Sequence, residues 1–414
     1  MAKYKLQEMP DMQNKGKKRV YHKLSTRPRL GKLKPRHGIL LILLLLIMLF
    51  KLIPQWSICY TSFLYPHIGA VLSHMSGIFP FAIGDLFIAL SIAWVILYPI
   101  YQIFFKKILI RKRWLKQDTC LLKKRVILGR VAEYLLWVYA WFYIAWGLNY
   151  SQPNIFYRMK MIPAKVSEKT LRDFAYRYVD SLNYLSEACR AKNDQFICKN
   201  TDSFDKLKTI TRSNILKGYN EFQKAPTNMG INRPFNQHPH VKTMVFSRFS
   251  SMAGVTGSMG PFFCEFTLNG EVQPYDYPAT YAHEFAHFLG VANEGEANFY
   301  SYVVCTQAKD KAVRFSGYYH IFFHVLANAY DILGEKEGEA LLHRVRPEII
   351  ALAKSDRRYW LGKRCKAIDA AQDFIFELYL RGNNVKEGRK SYSGVIALIL
   401  SWEAKKKELS LEKK

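Results

Sequence analysis

The sequence predicts a mainly α chain in which N-terminal transmembrane helices precede a mostly helical domain with a small β element. Three observations predict it. The first 150 of 414 residues hold long apolar runs bordered by Lys and Arg. Helical spacing of apolar side chains recurs from residue 167 onward, and the chain after residue 290 is almost wholly of that kind. Between them, residues 226–277 change character: Pro, Gly, Asn and aromatics interrupt the helical pattern.

In chain order, residues 1–36 form a basic N-terminus with twelve Lys/Arg against two acids. Residues 37–150 read as a membrane region with three spans, at about 37–56, 79–105 and 126–148. The first contains twelve consecutive apolar residues, 39–50, which a soluble core seldom requires. The second is apolar apart from Asp85 and a few small polar groups. The third is apolar and aromatic but carries Arg130 and Glu133 near its start, which makes it the weakest. Each is long enough to cross a hydrocarbon core of roughly 30 Å. Residues 106–125 carry nine Lys/Arg against one acid, whereas residues 54–78 carry no charged residue. The positive-inside bias therefore puts the N-terminus and the 106–125 loop in the cytoplasm, and three spans export everything after residue 150. The first span reads as a signal anchor, since no small-residue cleavage site follows it. These two segments supply much of the net charge of +28. Because they flank apolar runs, the expected partner is a lipid bilayer and not a nucleic acid.

The exported part, residues 151–414, opens on a linker with Pro153 and Pro163. A helix is predicted from the N-cap Ser167, with Leu171, Phe174, Ala175, Tyr178, Val179, Leu182 and Leu185 on its apolar face. A second helix is expected over Ser203–Phe222. Short β-like runs follow at Val241–Phe249 and Phe262–Leu268, with a turn signal at Asn269-Gly270. A last amphipathic segment runs near Tyr392–Lys407. Cys189 and Cys198 lie close together where a disulfide is chemically permitted, Cys120 falls in the cytoplasmic loop, and Cys264, Cys305 and Cys365 read as small buried residues.

The chemistry concentrates in His283-Glu284-Phe285-Ala286-His287. On a helix, residues i and i+4 stand one above the other, so both imidazoles can reach one ion while Glu284 reaches the water on its open position. This is the HExxH pattern of zinc hydrolases. Pro278 suits a first helical turn and Gly290 suits the position just past an end, so Pro278–Leu289 is predicted to be the helix that carries it. His283 and His287 are the expected Zn2+ ligands and Glu284 the general base. A third ligand must come from Glu294 or Glu296. If Asn293 caps the following helix, Glu296 falls at N3 and completes a capping box, which leaves Glu294 free and favours it. The competing interpretation is a pair of surface histidines, with Glu294 serving only the helix dipole.

The run from Tyr281 to Phe299 is similar to the signature of domain of unknown function 3810, a bacterial membrane family common in Bacteroidetes. The likeness extends to Gly257–Asn269, to Phe315-Ser-Gly-Tyr318 and to Lys386–Tyr392. The resemblance implies a zincin-like α+β metallopeptidase domain, with the two histidines and a glutamate of the Glu294–Asn298 segment as the metal set. That segment is also similar to the third-ligand motif of gluzincin peptidases, where Glu294 takes the ligand position and Asn298 replaces an aspartate. The implied protein is a multi-pass inner-membrane zinc metallopeptidase whose C-terminal domain is periplasmic and whose substrate is a peptide or protein. Tyr318 and His320 are weaker candidates for stabilising an oxyanion, with aromatic packing as the alternative. Phe262–Leu268 is a candidate strand for aligning an extended substrate. The rivals are a non-catalytic membrane protein with a structural metal, and a binder of anionic lipid or nucleic acid. The substrate itself is not legible.

Overall fold

The computed structural model describes residues 34–112, 123–188, 203–224, 230–232, 240–368, 370 and 394–411. Most of the basic N-terminus, Cys120, Cys189, Cys198 and the 386–392 motif lie outside the described residues. The chain is mainly helical with one small three-stranded sheet.

Helix α1 (Pro35–Leu52) is long and apolar enough to cross a membrane, and so is the continuous helical stretch Ile83–Arg111. That stretch comprises α4 (Ile83–Ile100), a π turn at Tyr101–Phe105 and α5 (Lys106–Arg111). Between α1 and α4, Pro54 restarts the helix as α2 (Pro54–Cys59). A π turn then leads into α3 (Tyr65–Gly77). The third apolar segment forms α6 (Lys124–Ala145). Its two troublesome charges are both partnered: Glu133 pairs with Arg36 at 2.7 Å, and Arg130 donates to Tyr98 Oη at 3.0 Å. These contacts also fix direction. Arg36 and Lys51 of α1 meet Glu133 and Tyr143 of α6 in the same order. Along α4, Ser91 and Tyr98 meet Tyr134 and Arg130 in reverse order. The three helices therefore run up, down, up, and among the described residues Lys34 and Arg36, Lys106–Lys112 and Lys123–Arg125 fall at the same end.

After α6 come a 3-10 turn (Gly147–Ser151), α7 (Ile155–Arg158), α8 (Glu168–Ala188) and α9 (Phe204–Lys224). Ser167 caps α8 through its Oγ, and all seven apolar residues predicted for its inner face are buried. The β-like stretch after residue 240 is shorter than expected. Strand β1 is Val241–Thr243, and α10 (Ser247–Met252) replaces the rest. Strand β2 (Gly257–Gly260) pairs antiparallel with β3 (Glu265–Leu268), and β1 pairs parallel with β3, so the order is β1-β3-β2. Asn269 is not a hairpin tip. Its amide donates to Ser247 O, Ser251 Oγ and Val255 O, tying α10 to the sheet.

Helices α11 (Tyr277–Phe288), α12 (Glu294–Thr306), α13 (Lys311–His320), α14 (Phe322–Asn328), α15 (Glu335–Arg344), α16 (Pro347–Lys363) and α17 (Val395–Leu411) complete the described chain. The core is continuous across residue 150. It runs from Leu40, Tyr60 and Tyr65 through Trp146 to Phe285, Tyr300 and Ile399. At its boundary lies a buried ion pair, with Lys242 Nζ 2.6 Å from Glu265 Oε1. All three ammonium donors are used, the other two on Ser76 O and Phe81 O. Glu265 in turn accepts from the Ile83 and Gly84 amides at the start of α4. A carboxylate at a helix N-terminus meets both unpaired amides and the positive end of the dipole, so the sheet and the apolar helix α4 are joined by charge as well as by packing.

Candidate metal centre

Helix α11 forms where the sequence places it, with Pro278 in its first turn and Gly290 at φ +94° just beyond its end. A residue with a Cβ is strained at that angle, and the chain turns there into α12. Asn293 caps α12 by accepting from Glu296 N at 3.0 Å. The two helices bring three ligand atoms together. His283 Nε2 lies 3.1 Å from His287 Nε2, and Glu294 Oε2 lies 3.2 Å from the first and 3.5 Å from the second. Among the described residues, these three form the group able to share one metal ion.

The other nitrogen of each ring is also engaged. His287 Nδ1 is 2.6 Å from Val291 O, and His283 Nδ1 is 2.8 Å from Asn298 Oδ1. Carbonyl oxygens only accept, so both Nδ1 atoms donate and both Nε2 lone pairs face Glu294. Three acceptors facing one another require a cation or a proton among them. Without an ion, the site holds a proton. Burial disfavours the imidazolium of His287, but the Glu294 charge outweighs it and raises its pKa to about 9. Burial, opposed by Glu294, lowers His283. Glu294 is itself held far below the usual carboxylate range, because the His287 charge and the histidine hydrogen bonds overcome its burial.

Glu296 does something else. Its carboxylate accepts from Ile155 N at 3.0 Å and pairs with the buried Arg158 guanidinium. The capping box is thus half formed: Asn293 caps, but the Glu296 side chain turns away to α7. The structure brings Glu294, and not Glu296, to the histidines.

Glu284 points to the sheet. It is 6% exposed, and burial, reinforced by Glu294 and opposed by His287 and the Met259 amide, pushes its carboxyl up to about 8. Gly257 of β2 lies against it so closely that a Cβ there would fall 2.5 Å from Glu284 Cγ and Oε1. Sequence reasoning did not single out Gly257 as a seat for Glu284. The close-approach glycines of Gly257-Ser-Met-Gly260 were the available signal.

The weaker candidates separate. Tyr318 packs with Tyr178 and Tyr302, with ring centroids 5.3 and 5.6 Å away, away from the ligand atoms. His320 stands behind Asn298, with Nε2 3.2 Å from Asn298 Oδ1 and Nδ1 3.2 Å from Asp276 Oδ1. Asn298 Oδ1 is thus the acceptor that His283 and His320 share, and Asp276 stands on the far side of the His320 ring. Strand β3 is central, with both edges paired, so Phe262–Leu268 cannot take an added strand; β2 is the edge beside Glu284.

The motif also lies closer to the apolar helices than its place in sequence predicts. Trp146, one residue past α6, donates to His287 O at 3.0 Å, and Tyr65 of α3 donates to Phe288 O at 2.7 Å. The model of a family described as a protein of unknown function (DUF3810) matches residues 60–400, which span α3 to α6 as well as the candidate site. The chain belongs to this family. No curated protein and no solved structure matches it. The matched segment begins at Tyr60, within the helical stretch whose Tyr60 and Tyr65 hydroxyls reach Ile144 O and Phe288 O.

Proposed function

We propose that this chain is a membrane-anchored, zincin-like zinc metallopeptidase that hydrolyses peptide bonds outside the cytoplasm. The observation that carries the proposal is the convergence of His283 Nε2, His287 Nε2 and Glu294 Oε2, each ring oriented by a hydrogen bond at its other nitrogen. Two imidazoles and one carboxylate are a donor set that suits zinc and leaves a position open, and backbone or amide oxygens behind the rings are the support such ligands use. A bound zinc ion supplies Lewis acidity, polarising a carbonyl and lowering the pKa of water.

Glu284 is the base that takes the proton of the attacking water and returns it to the leaving amine as the C–N bond breaks. Met259 N–H holds the carboxylate in place. A peptide bond is the favoured substrate because the edge strand β2 lies beside Glu284, where an extended backbone adds by strand pairing. Asn298 and His320 keep the His283 ring turned toward Glu294.

The up-down-up helices support three crossings with the N-terminus in the cytoplasm and the metal centre in the periplasm of an inner-membrane protein. The test uses purified full-length protein, measuring bound zinc and cleavage of a mixed-sequence fluorogenic peptide library. Glu284→Gln is expected to keep zinc and lose cleavage by at least about a hundredfold. Wild-type protein that carries zinc and cuts nothing, or a Glu284→Gln variant as active as wild type, overturns the peptidase proposal. The first result would favour a structural metal.

A further inference from the structure

The segment joining the two long apolar helices carries no charged residue from Leu52 to Gly84. From the π turn at Tyr60 through α3 to Ile78 it has two unlike faces. One, with Tyr60, Tyr65 and Leu72, is buried, with the Tyr60 hydroxyl on Ile144 O of α6 and the Tyr65 hydroxyl on Phe288 O of α11. The other shows Phe63 at 62%, Val71 at 60%, Met75 at 57% and Ile78 at 74% exposure, followed by exposed Phe79 and Phe81. His67, packed near Phe63, and His74 are the polar side chains among them, and no Lys, Arg, Asp or Glu is present; so large an apolar share is uncommon on a surface that meets water. The helices on either side in sequence also expose apolar side chains, α1 at Leu45 and Leu52 and α4 at Ile88 and Ile92.

A second contact leads to the same level. The β2–β3 connection is wedged among the membrane helices. Phe262 packs at a tilt on Phe87 of α4 with centroids 4.9 Å apart, Phe263 meets the same ring edge-on at 5.6 Å, and Trp141 of α6 donates to Phe262 O at 2.9 Å. Strand β2, which carries Gly257 against Glu284, ends at Gly260, two residues before that wedge. A four-residue strand is about 14 Å long, so an extended peptide lying along β2 has one end within that distance of the helix bundle.

We infer that the outer-leaflet lipid covers the α3 stripe, and that the metal centre therefore works at the membrane surface on polypeptide segments next to a membrane anchor. The substrate half of this inference rests on the peptidase proposal. Freely soluble peptides reach the same strand but lack the local concentration that an anchor supplies. Tethering raises effective concentration to the millimolar range for short linkers, so an anchored peptide has the advantage wherever free peptide is below that level.

Two measurements on full-length protein test it. In vesicles of phosphatidylethanolamine and phosphatidylglycerol doped with a phosphatidylcholine bearing an acyl-chain diazirine, photolabelling and mass spectrometry should mark peptides covering 63–81 as well as α1 and α4. Label on α1 and α4 with none on 63–81 overturns the lipid seat. In the same vesicles, a mixed peptide library carrying two palmitoyl chains should be cut at least about tenfold faster than its acetylated twin at equal micromolar concentration. Equal or faster cleavage of the acetylated library overturns the substrate class. If neither library is cut, the substrate class falls together with the peptidase proposal. The photolabel still decides where α3 lies.

Discussion

Gly257→Ala is the sharpest probe of how Glu284 is held. The new Cβ would sit 2.5 Å from Glu284 Cγ and Oε1, and ordinary contact begins at 3.4 Å, so strand or carboxylate must give way by about 0.9 Å. The carboxylate is the softer partner, but it is buried and tied to the Met259 amide, so it moves only by leaving its seat. A catalytic group displaced by about 1 Å typically costs ~100-fold, or ~2.7 kcal/mol of barrier. The three atoms nearest the new Cβ all belong to Glu284 and none to the proposed ligands, so zinc content should not change. The assay is kcat/KM on peptides that the wild type cuts, read beside zinc stoichiometry and the thermal midpoint. A Gly257→Ala protein with full zinc and kcat/KM within threefold of wild type would refute the reasoning. Losing zinc and activity together would show that the strand supports the ligands rather than the base.

Glu294→Ala should abolish tight zinc binding, whereas Glu296→Ala should keep zinc and lose stability by about 3–5 kcal/mol by stranding the buried Arg158; metal analysis and thermal unfolding in detergent separate the two. Asn298→Leu removes the acceptor shared by His283 and His320 and should weaken zinc binding by about 10–100-fold, with Asn298→Asp restoring it, as competition with a chelator would measure. Burial, assisted by the neighbouring His320 charge, lowers His324 to about 4. The unfolded chain therefore binds the proton more readily, so this contribution to stability is complete above about pH 6.5 and is lost progressively as pH falls toward 4. His324→Gln should flatten that part of the unfolding-versus-pH curve, and an unchanged slope would show that His324 titrates normally.

Legibility followed the range of the interactions. The inner face of α8 was readable because seven apolar residues repeat at helical spacing and nothing distant alters them. Pro278, Gly290 and Asn293 were readable because caps and turns are local chemistry. Glu296 was misread as a capping-box partner because the group that claims it, Arg158, lies 138 positions away. Strand β2 was missed because Gly-Ser-Met-Gly has no strand formers; its pairing with β3 and its closeness to Glu284 are tertiary facts. The pairing of His320 with Asn298 could not be deduced from spacing either, since the two residues sit on different helices. What the ligand spacing in α11 announced, the surrounding helices completed.

A division of the chain at residue 150 separates in sequence what the fold joins in space. Removing residues 1–150 would take away the Tyr65 hydroxyl from Phe288 O and the Trp146 indole from His287 O, the carbonyl of a candidate ligand. It would also remove Ser76 O, Phe81 O and the Ile83 and Gly84 amides, leaving Lys242 and Glu265 with only each other. A buried ion pair offsets its desolvation only when its remaining donors and acceptors are satisfied, so the sheet beside Glu284 would lose its footing first. The helices before residue 150 form the floor on which α11 and the sheet are set, and that is consistent with a family match that starts at residue 60 and not after residue 150.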